Sequence, residues 1–134
     1  MPIPKKSREI VLNKYGGRCA YCGCELKGKF QVDHLISQRN FEWHLRNQYK
    51  IPAFLEHLTL ADVNHIDNLM PACCSCNNYK STCDLETFRK EIQMQPERLM
   101  RAKPMVRLAE RFGLVKIQEK PVVFYFETVS DLTQ

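Results

Sequence analysis

Four cysteines in two knuckles, Cys19-Ala-Tyr-Cys22 and Cys73-Cys74-Ser-Cys76, constrain this chain more than any other feature. A Cys-x-x-Cys pair puts two thiolates on one tight turn, and two such turns complete a tetrahedral shell around one Zn²⁺. A closed Cys₄ shell has no open position, so this zinc is expected to hold the fold and leave the chemistry to other side chains. Cys74 could be proposed in place of Cys73, but only Cys73 gives the two-residue gap to Cys76.

At 134 residues the chain reads as one domain, in the size range where a metal commonly assists folding. Seven cysteines could suggest a secreted disulfide scaffold, but the number is odd and the spacing favours metal, leaving Cys24, Cys74 and Cys83 as free thiols in a reducing cytosol. No stretch approaches a membrane span, and Met1-Pro-Ile-Pro-Lys-Lys lacks the apolar run of a signal peptide, so a cytoplasmic, membrane-free protein is expected. The net charge of +5 is unevenly placed: residues 1–30 carry seven basic and two acidic side chains, and residues 96–120 seven and three. Such runs are commonly just a solvated surface; beside a site acting on phosphodiesters they would form an electrostatic footprint for a phosphate backbone.

Between the knuckles lies Val32-Asp33-His34-Leu35-Ile36-Ser37, and the second knuckle is embedded in Asn68-Leu69-Met70-Pro71-Ala72-Cys73-x-x-Cys76-Asn77-x-x-Lys80-Ser81. Together with Arg18-Cys19-Ala-Tyr-Cys22-Gly23, these segments resemble the HNH endonuclease family in its small Cys₄-zinc form. The resemblance covers residues 18–81 closely and the remainder loosely. It implies an α+β fold with a ββα-metal core over residues 18–95, to which the residue pattern adds a helical insertion at about 38–65 and C-terminal helices with a β-hairpin over 96–129.

The resemblance also implies a chemistry. Phosphodiester hydrolysis needs an activated water and a cation that neutralises charge developing on phosphorus and on the leaving oxygen. His34 suits the first task, because an imidazole titrates near neutral pH. Asp33 and Asn77 would hold one divalent ion, and their hard oxygens suit Mg²⁺ or Mn²⁺. Asn68 would hydrogen-bond the backbone of the catalytic segment and so aim His34. Lys80 is either a phosphate contact or a solvated lysine. Asn77 stands where many members have histidine, which leaves one ligand neutral. The substrate implied is DNA, or RNA by the same chemistry, with a 3′-hydroxyl and a 5′-phosphate as products. His44 and His57 read as structural or solvated, and His65 as either that or a residue approaching the site. A monomer suffices for nicking, whereas paired cuts require a dimer or two successive nicks.

The local pattern predicts a helix over Ser7–Tyr15 stopped by Gly16-Gly17, and a hairpin turning at Gly28 between Cys24–Leu26 and Phe30–Val32. A short helix from about Ser75 should carry Asn77 and Lys80, followed by one capped by Asp84 with Leu85, Phe88 and Ile92 on one face. Thirty-three residues separate His34 from Asn68, and their aromatics predict two short helices broken near Ile51-Pro52. Those aromatics form a satellite core, or else Trp43 or Tyr49 stacks on a base. Pro96 and Pro104 should open two helices ending at Gly113, and Leu114–Gln118 with Val122–Glu127 should close as a β-hairpin. The competing function is a zinc-stabilised nucleic-acid- or protein-binding module with an idle site. A thiol–disulfide oxidoreductase would need a Cys-x-x-Cys beside a βαβ pattern, which is not evident.

Overall fold

The computed structural model describes residues 2–47 and 51–129, apart from the side chains of 44, 45 and 47. Its elements are α1 (Lys5–Asn13), β1 (Gln31–His34), α2 (Phe41–Asn47), β2 (Leu69–Ala72), α3 (Cys74–Lys80), α4 (Leu85–Gln93), α5 (Gln95–Ala102), α6 (Pro104–Arg111) and α7 (Tyr125–Val129). The fold is α+β. No helix among the described residues is long and apolar enough to cross a membrane.

β1 and β2 form a two-stranded antiparallel sheet, with Gln31 opposite Ala72, Val32 opposite Pro71, Asp33 opposite Met70 and His34 opposite Leu69. The expected hairpin is therefore corrected. Gly28 does turn the chain, its N–H donating to Leu26 O at 2.9 Å, but Leu26 N donates back to Gly17 O and Glu25 bridges Arg18. The segment before the turn is thus committed to the first knuckle, and β1 takes β2 as its neighbour across the whole insertion. All four residues of β2 are buried. Apolar strands of this kind need cover on both faces, and α1 packs on β2 while α3 packs on β1. Pro71 has no N–H to give a ladder, but its carbonyl accepts Ala20 N at 2.8 Å, fastening the first knuckle to the sheet.

Among its described residues the insertion contains α2 and then single 3₁₀ turns at Ala53–Leu55, Leu60–Asp62 and Ile66–Asn68, instead of a second helix. Its buried Phe41, Leu55 and Leu58 join the same core as Tyr21, Met70, Phe88, Phe124 and Phe126, so the described residues of the insertion build no separate satellite. Trp43 is exposed; Tyr49 lies outside the described residues. Asp84 caps α4 as expected, its Oδ1 accepting Thr87 N at 3.1 Å, and Leu85 and Phe88 point inward. α5 and α6 begin at their prolines, and Gly113 follows α6 with φ +74°.

The C-terminal hairpin does not form. Alternation in Val122–Phe126 does bury Phe124 and Phe126 and expose Val123, but the backbone donors go elsewhere. Val122 N reaches Gln93 Oε1, Phe124 N reaches Glu127 Oε1, and Tyr125 N and Phe126 N pair with Tyr21 O and Ala20 O. Arg89 completes this attachment with paired bonds of 2.8 Å to the Glu127 carboxylate while stacking 4.7 Å above the Phe124 ring. With these donors taken by the knuckle, Gln93 and Glu127, the segment does not pair with Leu114–Gln118, and Leu114 stays 80% exposed.

Candidate functional site

The first knuckle closes through local bonds: Gly23 N to Cys19 O at 3.0 Å and Cys19 N to Cys24 O at 2.8 Å. Gly23 is needed there, with φ +79° and the Tyr125 ring 3.1 Å from where a Cβ would stand. The second knuckle is the start of α3, where Cys73 Sγ caps the helix by accepting Cys76 N at 3.4 Å. One sulfur from each of Cys19, Cys22, Cys73 and Cys76 lies within 4.8 Å of the others, and Cys22 and Cys73 are 3.8 Å apart. Sulfurs on a tetrahedral ion with bonds of about 2.3 Å stand about 3.8 Å from one another. The four therefore form a group that could hold a metal ion such as zinc. Cys74 points away, toward Gln31 Nε2 at 3.9 Å, which decides between it and Cys73. The Cys19 thiol is held down to about 4 chiefly by the Cys76 thiol donating to it, and the same bond pushes Cys76 up. A cation bound by these thiols would displace their protons.

β1 places Asp33 and His34 on opposite faces. Asp33 is buried, and its Oδ2 receives the Tyr21 hydroxyl at 2.5 Å and the Lys80 ammonium at 3.0 Å. Burial, then the field of Asp33, pushes Tyr21 well above its ordinary range, so it stays a proton donor to that oxygen. Lys80 is fully buried and also donates to His34 O at 3.0 Å. The sequence-based expectation of an exposed phosphate contact, or of a solvated lysine, is corrected: Lys80 is an internal tie between α3 and β1. Stranding one member of a buried ion pair costs about 3–5 kcal/mol. Lys80→Ala is accordingly expected to lower unfolding free energy by about that amount in urea titrations, whereas removing exposed Lys90 should change it by less than ~0.5 kcal/mol.

Asn77 lies one helical turn before Lys80, and residues three apart share a helix face, so its side chain belongs to the face that meets β1. Among the described residues the Asn77 amide makes no hydrogen bond. Asn68 is fully buried and wholly engaged: Oδ1 accepts Ile36 N at 2.9 Å, while Nδ2 donates to Ile36 O at 3.1 Å and Val63 O at 2.8 Å. One amide thereby clamps the chain just after His34 to the loop carrying residue 64.

That loop supplies a residue that sequence reading missed. His34 Nε2 lies 2.7 Å from Asn64 Oδ1, which also receives Gln38 Nε2 at 3.5 Å. An amide oxygen only accepts, so the neutral imidazole carries its proton on Nε2 and keeps its lone pair on Nδ1. No spacing rule marks Asn64, which sits in the insertion between Val63 and His65. His65 instead faces Asp67, whose N–H it accepts at 3.0 Å. Lys14, counted among the basic residues of 1–30, turns inward to Ile66 O and Leu69 O at 2.8 and 2.7 Å, and burial lowers it to about 8. An apolar groove of about 590 Å³ lined by Ile51, Phe54, Leu85 and Phe126 contains none of these polar residues.

Comparison with known protein families, curated proteins and solved structures finds no match. The functional reading therefore rests on the residues themselves.

Proposed function

We propose that the chain is an HNH-type endonuclease that hydrolyses phosphodiester bonds in DNA, with the four-cysteine group holding a structural zinc. The observation that carries this reading is the half-exposed His34 imidazole at the end of β1, its Nε2 tied to Asn64 and its Nδ1 free of that bond. A base held in one tautomer and one orientation is what proton abstraction requires. In this mechanism His34 Nδ1 takes a proton from water as the water oxygen bonds to phosphorus. The P–O3′ bond breaks, the departing oxygen gains a proton from solvent, and a 5′-phosphate and a 3′-hydroxyl result.

Asp33 and Asn77 would hold Mg²⁺ or Mn²⁺, which supplies charge neutralisation at the phosphate. They fit that role in donor type alone: among the described residues neither Asp33 Oδ1 nor the Asn77 amide is hydrogen-bonded and Mg²⁺ commonly takes one or two protein oxygens and completes its shell with water. Asp33, however, is buried, paired with Lys80 and on the face of β1 opposite His34, which weighs against one phosphate meeting both. Exposed Lys5, Lys6, Lys103 and Lys116 on the outer segments would contribute to backbone attraction. Supercoiled plasmid incubated with Mg²⁺ or Mn²⁺ is expected to relax to nicked circles, and chelator to prevent it. Intact plasmid under every metal condition would overturn the nuclease reading.

The second reading is a zinc-stabilised binding module, and one observation favours it. The Lys80 ammonium neutralises part of the charge Asp33 would otherwise present to a divalent ion. On that reading the protein binds DNA with the same salt dependence and never cuts it.

A further inference from the structure

The loop between α2 and β2 brings His57, His65 and Asp67 together, a group that includes neither the four thiols nor His34. We propose that these three side chains form a second metal site, taking a borderline divalent cation of the zinc class with one coordination position open to water. The proposal does not rest on the nuclease reading.

His57 Nε2 lies 3.2 Å from Asp67 Oδ2, and His65 Nδ1 lies 3.7 Å from the same oxygen. The two rings meet edge to face, with centroids 5.6 Å apart and planes at 83°. One ligand atom from each residue falls within 4.8 Å of the others. Ligands at about 2.0–2.1 Å from a tetrahedral ion stand roughly 3.4 Å apart, and the two distances to Asp67 bracket that value. Two imidazoles and a carboxylate select Zn²⁺-like ions over Mg²⁺ or Ca²⁺, which prefer all-oxygen shells.

The ligands sit on anchored backbone. His57 lies between buried Leu55 and Leu58, and Asp67 precedes the clamped Asn68. Between them a capping box locks the chain, Asp62 Oδ2 accepting Thr59 N at 2.8 Å and Thr59 Oγ1 at 2.9 Å. Those two bonds hold Asp62 below the usual carboxylate range, and the fields of His65 and His57 add to the effect. Lys14 lies within the field of Asp67, but its ammonium is directed onto Ile66 O and Leu69 O. The Asp67 N–H now donates to the His65 nitrogen. Metal capture at that atom exchanges one neutral hydrogen bond for a coordinate bond, which makes this site weaker than the thiolate one.

The test uses full-length protein with its thiolate ion in place, titrated with Co²⁺ and with Zn²⁺ by calorimetry and visible spectroscopy. Wild type is expected to take up one further equivalent of Co²⁺, giving d–d bands without the intense sulfur charge transfer of a thiolate site. His57→Ala and Asp67→Asn should each weaken that equivalent by at least the roughly 10- to 100-fold seen for lesser changes at metal sites, with thiolate-bound metal and melting curve unchanged. His57 suits the test because its side chain is 56% exposed. No second equivalent in wild type, or one that persists undiminished in both variants, would overturn the proposal.

Discussion

Cys76→Ser is expected to abolish tight metal binding and leave the chain largely unfolded at room temperature. The thiol cluster joins the first knuckle to the start of α3, and Ala20 N to Pro71 O joins that knuckle to β2 just before it. A structural Zn²⁺ contributes about 10–16 kcal/mol of binding free energy in small domains, and that energy is folding energy. Whole domains are stable by only about 5–15 kcal/mol, so losing the ion removes most or all of the margin. The consequences spread because the same knuckle backbone carries Tyr125 and Phe126 through Tyr21 O and Ala20 O. Released, α7 and the Phe88–Phe124 stack, centroids 5.3 Å apart, lose their platform. Strong chelator should act similarly on wild type. Circular dichroism and metal analysis provide the check: a folded Cys76→Ser protein with the wild-type melting temperature would show that the four thiols hold no structural ion. Cys74→Ser is the control and should change little, since that sulfur faces Gln31.

The features legible from sequence were those written in short spacings. Two residues between cysteines specify a knuckle, a proline specifies where α5 and α6 begin, and Asp84 three residues before Thr87 specifies a cap. What escaped reading depends on groups distant in the chain. Gly28 marked a genuine turn, yet whether its flanks pair was decided by β2, which competes for β1 from beyond the insertion. Alternation over Val122–Phe126 encoded one buried face but not the neighbour it packs on, and the knuckle carbonyls won over Leu114–Gln118. Lys80 looked like a surface lysine because the carboxylate that draws it inward lies on β1, beside the His34 carbonyl 46 residues earlier. Asn64 had no signal at all, because its role comes from the clamp that Asn68 places on Val63.

His34→Ala should lower cleavage by about 10²–10⁴-fold, the usual contribution of a general base, while zinc content, melting and DNA affinity stay near wild type. The side chain is half-exposed and its one bond runs to an exposed loop amide, so its removal strands nothing buried. Raising Mn²⁺ should not restore this variant. Asn77→Ala should also be nearly inactive but recover partly in high Mn²⁺, since it weakens ion affinity and spares the base. Asp33→Ala is the poorer probe, because it abandons Lys80 in the interior and confounds lost chemistry with lost stability. Asn64→Ala isolates positioning: kcat should fall while KM holds, and the pH–rate profile should change as Nε2 loses its acceptor and the ring samples both tautomers. Asn68→Ala should be slow and destabilised together, because it leaves the buried Ile36 N–H and two carbonyls unpaired at about 1–3 kcal/mol each. If His34→Ala cuts as fast as wild type, the observed nicking belongs to another group or a contaminant, and the binding-module reading takes the place of the nuclease.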